Sequence, residues 1–188
     1  MLASSKTVPP TVAAFASACI AIACSSSSAS APAAAASCDS APVSFRSDLI
    51  PTFATNCTAT TLCHGQKQDA EAENLYLGAG SDSAPSSADD LAAIYKSLVG
   101  VKSIEDPLMN LVTASDLENS FLWHKVDGDQ NADSKVVAGC QPVAKGSSAC
   151  IDCLPEAPCG AQMPFESLLD PSAVCVIRNW IAQGAKND

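Results

Sequence analysis

Basic residues are scarce in this chain: 10 Lys and Arg stand against 20 Asp and Glu in 188 residues, for a formal net charge of -10. Binding driven by phosphate neutralisation needs clustered positive charge, so nucleic acid is excluded as a partner. Aromatic residues make up only 5%, and much of the 47% apolar content is alanine. Little large apolar surface is left to bury, which predicts a small core. Histidine is scarcer still, with His64 and His124 the only two. No Ser/His/Asp set or phosphate loop accompanies them, so general acid–base chemistry is poorly supplied and the chain does not read as an enzyme. Alternating β-branched runs and internal repeats are also missing, which turns the reading away from strands.

Cysteine, by contrast, is abundant: ten residues argue for an oxidising compartment, a sulfur-held cofactor, or both. The N-terminus agrees with export. Lys6 is the only charge before Asp39, and the apolar run from Val12 to Ala23 is too short to span a bilayer but suits a signal peptide over residues 1–23. Ala21-Ile22-Ala23-Cys24 followed by Ser25 to Ser28 resembles a bacterial lipobox and its polar tether, making Cys24 the candidate lipidation site and Cys19 a lesser one. Almost every residue of 24–42 is Ala, Ser or Pro, a composition that cannot pack a core and predicts a flexible tether. The domain then spans 43–188. Setting aside Lys6 and Asp39 leaves 9 basic and 19 acidic residues beyond Pro42, so the whole negative charge belongs to the domain.

Helix signals recur within it. Phe45, Leu49, Ile50 and Phe53 mark a first helix, with Pro51 in its first turn or at a kink. Ser87 precedes an i, i+3, i+4, i+7 stripe of Leu91, Ile94, Tyr95 and Leu98 that Gly100 can close. Ser115-Asp-Leu-Glu118 has the form of a capping box opening a helix through Phe121 and Leu122 to Asp127-Gly128. Asp170-Pro171 supplies an N-cap and an N1 proline for a helix carrying Val174, Ile177, Trp180 and Ile181, stopped at Gly184. The predicted fold is all-α with long loops.

The chemistry concentrates at Cys57-Thr-Ala-Thr-Thr-Leu-Cys63-His64-Gly65. In c-type haem attachment two cysteines add to the haem vinyls and the histidine after the second becomes the proximal iron ligand. The usual spacer is two residues; here it is five. From spacing alone, a Cys57–Cys63 disulfide with a solvated His64 explains the loop equally well. A haem held by His64 also calls for a distal ligand, and thioether sulfur is the common donor in electron carriers. Two methionines lie beyond the signal region: Met163, in Cys159-Gly-Ala-Gln-Met163-Pro164, is the candidate, and Met109, in the apolar run 108–112, reads as core filler.

Cys38, Cys57, Cys63, Cys140, Cys150, Cys153, Cys159 and Cys175 make an even number beyond the signal region. If Cys57 and Cys63 hold haem, the other six allow three disulfides, with Cys140, Cys150, Cys153 and Cys159 stapling the loop before Met163. Cys150-Ile-Asp-Cys153 as a redox dithiol or half a zinc site lacks a βαβ context and a nearby histidine. Asp127, Asp129, Asn131 and Asp133 alternate as calcium ligands do, but Ala132 and Ala138 replace the required Gly and Glu, so a solvated acidic loop is expected. His124, the alternative iron ligand, reads as partly exposed helix packing.

The order of these elements resembles one family. The first helix, Cys-x5-Cys-His-Gly, Leu75-Tyr76-Leu77-Gly78, Glu118-Asn-Ser-Phe-Leu122 with Lys125-Val126, Cys-Gly-x-x-Met-Pro and the ending Arg178-Asn-Trp-Ile-Ala-Gln-Gly-Ala185 resemble the cytochrome c-like domains of exported proteins in myxobacteria and planctomycetes. The resemblance covers nearly all of Val43 to Asp188. It implies a small helical cytochrome c fold, one covalent haem c, His64 and Met163 as axial ligands, and electron transfer; the acidic surface implies a redox partner with a basic surface. The expectation is an outer-membrane or periplasmic lipoprotein held to the membrane through Cys24. A haemless, disulfide-rich lipoprotein acting as a binding or structural module stands beside it.

Overall fold

In the computed structural model of the protein, residues 38–58, 63–67, 75–80, 87–140, 157–165 and 167–188 are described; Cys24, Cys150 and Cys153 lie outside them. These residues are helical, with long connections and no strand among them; only isolated bridges occur, such as Val99 to Val112 and Asn110 to Ser120.

A π-helical turn, Phe45–Leu49, runs directly into α1, Ile50–Asn56. Ser44 starts it: its hydroxyl accepts from Ser47 N at 3.1 Å, and Asp48 accepts from Ser44 N at 2.8 Å, satisfying two of the amides that a helix start leaves without partners. Pro51 sits in the first turn of α1, where its missing N–H costs nothing. Phe45, Leu49 and Phe53, four residues apart, form one fully buried stripe. Helix α2, Ala88–Leu98, carries the predicted stripe of Leu91, Ile94 and Leu98 and has a complete capping box between Ser87 and Asp90. Gly100 follows at φ 75°, a conformation glycine adopts without steric cost.

Helix α3 corrects the expectation. It spans Phe121–Asp127 and does not begin at Ser115. Ser115 has φ 62° and its N–H donates to Ile181 O at 2.9 Å, so the would-be cap is drawn over the end of the C-terminal helix. Asp116 takes the Asn119 backbone and side-chain amides at 3.1 and 2.6 Å, and Ser120 Oγ accepts from Thr113 N and donates to Asp116 O. Local side-chain bonds thus hold 113–120 as turns in competition with the helix. Helix α4, Ser134–Gly139, was not foreseen; Asp133 caps it, accepting from Lys135 N at 2.8 Å. Helix α5, Pro171–Ala182, starts at the predicted Asp170 cap.

The first and last helices meet through Phe45 and Trp180, ring centroids 5.7 Å apart, with Tyr95 of α2 edge-on to Phe45 at 5.6 Å. Leu77, Val112, Leu122, Val126, Ile177 and Ile181 complete this main core. A second, smaller cluster comprises Met109, Phe121, Val136, Cys140 and Cys159. Met109 is core filler, as expected.

Among the described residues, two disulfides staple the domain: Cys38–Cys175, 137 residues apart in sequence, and Cys140–Cys159. Residues 38–43, assigned by composition to the end of the tether and the first residue beyond it, lie along α5. Asn179 Nδ2 donates to Asp39 O, Gln183 Nε2 to Ala41 O at 2.8 Å, and Val43 N to Gln183 Oε1 at 2.9 Å.

Candidate functional site

The loop after α1 turns back on the helix end. Cys57 N and Thr58 N both donate to Phe53 O, and His64 N donates to Cys57 O at 3.0 Å, closing the seven-residue span from Cys57 to Cys63 despite its length. Leu77 N then donates to His64 O at 2.9 Å, which ties the loop to the buried Leu77 of the main core. His64 Nδ1 lies 3.0 Å from Leu75 O. A carbonyl can only accept, so Nδ1 carries the hydrogen and Nε2 is the nitrogen whose lone pair suits a metal. Backbone orientation of this kind is what metal-bound histidines show.

Cys57 and Cys63 are not bonded to each other. Burial of the Cys57 sulfur, reinforced by the Cys63 sulfur nearby, pushes its pKa from 9.0 up to about 12. Such a thiol is protonated at neutral pH and is a poor nucleophile and a poor zinc ligand, which argues against disulfide-exchange chemistry at this pair. The set of Cys57, Cys63 and His64 is also not a converged metal tripod. Among the described residues, the three-residue group of His, Cys, Asp or Glu whose ligand atoms all lie within 4.8 Å of one another is His124, Asp129 and Asp133.

A pH dependence follows for protein whose thiols are unmodified. Below about pH 9 Cys57 is protonated in both folded and unfolded chains, and its contribution to stability is complete. As pH rises toward 12 the unfolded chain ionises first, and stability falls by up to about 4 kcal/mol. Cys57→Ala should flatten that loss when denaturation midpoints at neutral pH and at about pH 11 are compared; an equal alkaline loss in both proteins would show that Cys57 does not cause it.

Met163 lies on a separate segment, packed along α3. Its N–H donates to Lys125 O at 2.8 Å, and Gln162 Nε2 reaches Val126 O at 3.2 Å, so the segment leading to Pro164 lies along the C-terminal half of α3. Asn131 holds the segment from the other side: Oδ1 accepts from Cys159 N at 3.0 Å and Nδ2 donates to Gly160 O at 2.8 Å. Asp127 of the 127–133 loop is exposed, as a solvated acidic loop would have it, while Asn131 makes the loop a cradle for Cys159 and Gly160. His124 belongs to the same cradle. It is buried, at 4% exposed, and its Nδ1 is 2.7 Å from Asp129 Oδ1 and its Nε2 3.3 Å from Glu118 O. With both nitrogens facing acceptors, the ring is engaged within the protein, which corrects the expectation of a partly exposed residue and weighs against it as the distal iron ligand.

Sequence reasoning singles out Cys57, Cys63, His64 and Met163 by type and spacing, and carries no signal for the groups that the structure places against them. Leu75 O is a backbone atom without a sequence signature. Asn131 was read only as a member of an acidic alternation, and Lys125 only as part of a resemblance. A depression of about 350 Å³ between α1 and the start of α5, lined by Thr52, Thr55, Asn56, Asp170 and Ser172 among others, carries no thiol or imidazole. Comparison with protein-family models, with curated proteins and with solved structures finds no match to this chain.

Proposed function

We propose that the protein is an extracytoplasmic electron carrier with a small cytochrome c-like domain and one covalent haem c. The observation that carries this reading is His64: its Nδ1 is tied to Leu75 O at 3.0 Å, which would make Nε2 the ligating nitrogen of a bound iron, and it follows directly on the two cysteines of one loop. The donor set fits the group, because thioether formation consumes Cys57 and Cys63, and a buried, protonated thiol is replaced by a neutral sulfur of similar size. The crossing of the first and last helices at Phe45 and Trp180 and the order of motifs along the chain support the cytochrome-like fold.

Haem when bound supplies a one-electron couple, and the residues around it set that couple. Leu75 O keeps His64 in one tautomer and raises its donor strength. Met163 would hold the iron on the face away from His64, as a soft neutral donor that favours the reduced state. The 19 acidic residues beyond Pro42 attract a redox partner with a basic face and speed the encounter at low ionic strength. Protein matured in cells with cytochrome c biogenesis should be red, with a c-type reduced-minus-oxidised spectrum and a haem mass that survives acid-acetone extraction. Colourless protein of unmodified mass would refute the assignment and leave the haemless, disulfide-stapled module, which the two observed disulfides support.

The same reading places the domain on a lipid anchor at Cys24, in the outer membrane or periplasm, supported by the lipobox-like Ala21-Ile22-Ala23-Cys24. A Cys24→Ser change should release the domain into the soluble periplasmic fraction, since a tether of Ala, Ser and Pro has no apolar face to hold a membrane. Unchanged fractionation would move the anchor elsewhere.

A further inference from the structure

Glu105 and Lys125 form an oppositely charged pair buried on both sides, with side chains 9% and 6% exposed. An ammonium has three donors, and Lys125 Nζ has three acceptors around it: Glu105 Oε1 at 3.0 Å, Glu105 Oε2 at 2.9 Å and Cys159 O at 3.0 Å. The same residue's backbone oxygen accepts from Met163 N at 2.8 Å. Lys125 therefore grips the 159–163 segment at both of its ends, once by side chain and once by main chain. We infer that the Glu105–Lys125 pair is the positioning device that fixes Met163 in register with α3, as it would need to be to serve as a ligand of the proposed haem.

The chemistry favours positioning over general stability. Buried ion pairs are weak stabilisers, because desolvation offsets most of their attraction, and an apolar pair of similar volume often does as well. What an apolar pair lacks is a donor for Cys159 O, and that bond sets where the segment lies along the helix. Apolar burial holds little of the segment: of residues 157–163 only Cys159 and Gly160 are buried, so its placement depends on polar contacts to Lys125, Val126 and Asn131 and on the Cys140–Cys159 disulfide.

This inference rests on the haem reading, and its test separates the two. The double variant Glu105→Leu/Lys125→Met removes both charges while keeping apolar volume. It should fold and retain covalent haem, but lose most of the near-infrared charge-transfer band of Met-ligated ferric iron and show a lowered midpoint potential. Hydrogen exchange at the Met163 amide should be at least about tenfold faster, as for a segment released to local opening. Lys125→Arg, which keeps a buried cation beside Glu105, should restore much of the band. If the double variant does not fold, Glu105→Gln tests the same point with a smaller loss. A full-strength band with wild-type exchange in the folded variant would overturn the positioning role alone. A wild-type protein without covalent haem would overturn the haem reading and this inference with it.

Discussion

Met163→Ala should leave haem covalently attached while abolishing the near-infrared band and lowering the midpoint potential. The size of the drop follows from the ligand chemistry. Axial ligands set haem potentials over a range of about 0.8 V, and loss of a soft thioether removes a donor that favours ferrous iron, so a fall on the order of 100 mV is expected. Met109→Ala provides the contrast. Met109 is buried at 5% exposure against Phe121, Val136 and Cys159, so its truncation should cost about 2 to 5 kcal/mol of stability with the band intact. A band that survives in the Met163 variant and vanishes in the Met109 variant would reverse the assignment. If neither variant alters the iron spectrum, the sixth position is open, and the function shifts from electron carriage toward binding of small ligands.

The second large effect concerns attachment. Cys57→Ser/Cys63→Ser should carry no haem after acid-acetone extraction, because no sulfur remains in the loop to form a thioether. Each single variant should keep one bond and remain coloured. The geometry makes the two positions unequal: Cys63 immediately precedes the oriented His64, whereas Cys57 closes α1, with its N–H bonded to Phe53 O at 2.7 Å. Losing Cys63 should therefore disturb the histidine–iron bond more, seen as weaker, broader absorption in that variant. Wild-type protein with a Cys57–Cys63 disulfide after full maturation would contradict both expectations.

Legibility in the sequence divided along physical lines. Helices α1, α2 and α5 could be read because their determinants are local: Pro51 within the first turn, the Ser87–Asp90 box, and Asp170-Pro171 ahead of Ile177 and Ile181. The start of α3 was misplaced because Ser115 has the sequence of a cap, but a nonlocal bond to Ile181 O holds it at positive φ. Helix α4 escaped notice because Asp133 was weighed as a cation ligand while its structural role is that of an N-cap. At the site, reactive side chains announce themselves by type and spacing. Their supports do not: Leu75 contributes a carbonyl, Asn131 an amide pointing in two directions, and Lys125 a charge buried against a residue twenty positions away. Eight cysteines taken as four disulfides allow 105 connectivities, and only the fold singles out those that contain the Cys38–Cys175 pair.

That disulfide matters mechanically. A domain held by a tether is pulled from its N-terminal side, and a pull of that kind ordinarily strips a chain residue by residue from the end where it is applied. Here Cys38 is welded to the second turn of α5, and residues 39 to 174 form a closed covalent ring behind the weld. Tension reaching Cys38 is transferred to α5, whose Ile177, Trp180 and Ile181 are anchored in the main core. The segment from Asp39 to Phe45 does not bear such a pull directly, because the disulfide ahead of it carries the tension into α5. Cys57, His64 and Met163 all lie inside the ring, so a pull on residues ahead of Cys38 reaches them only through α5 and the main core.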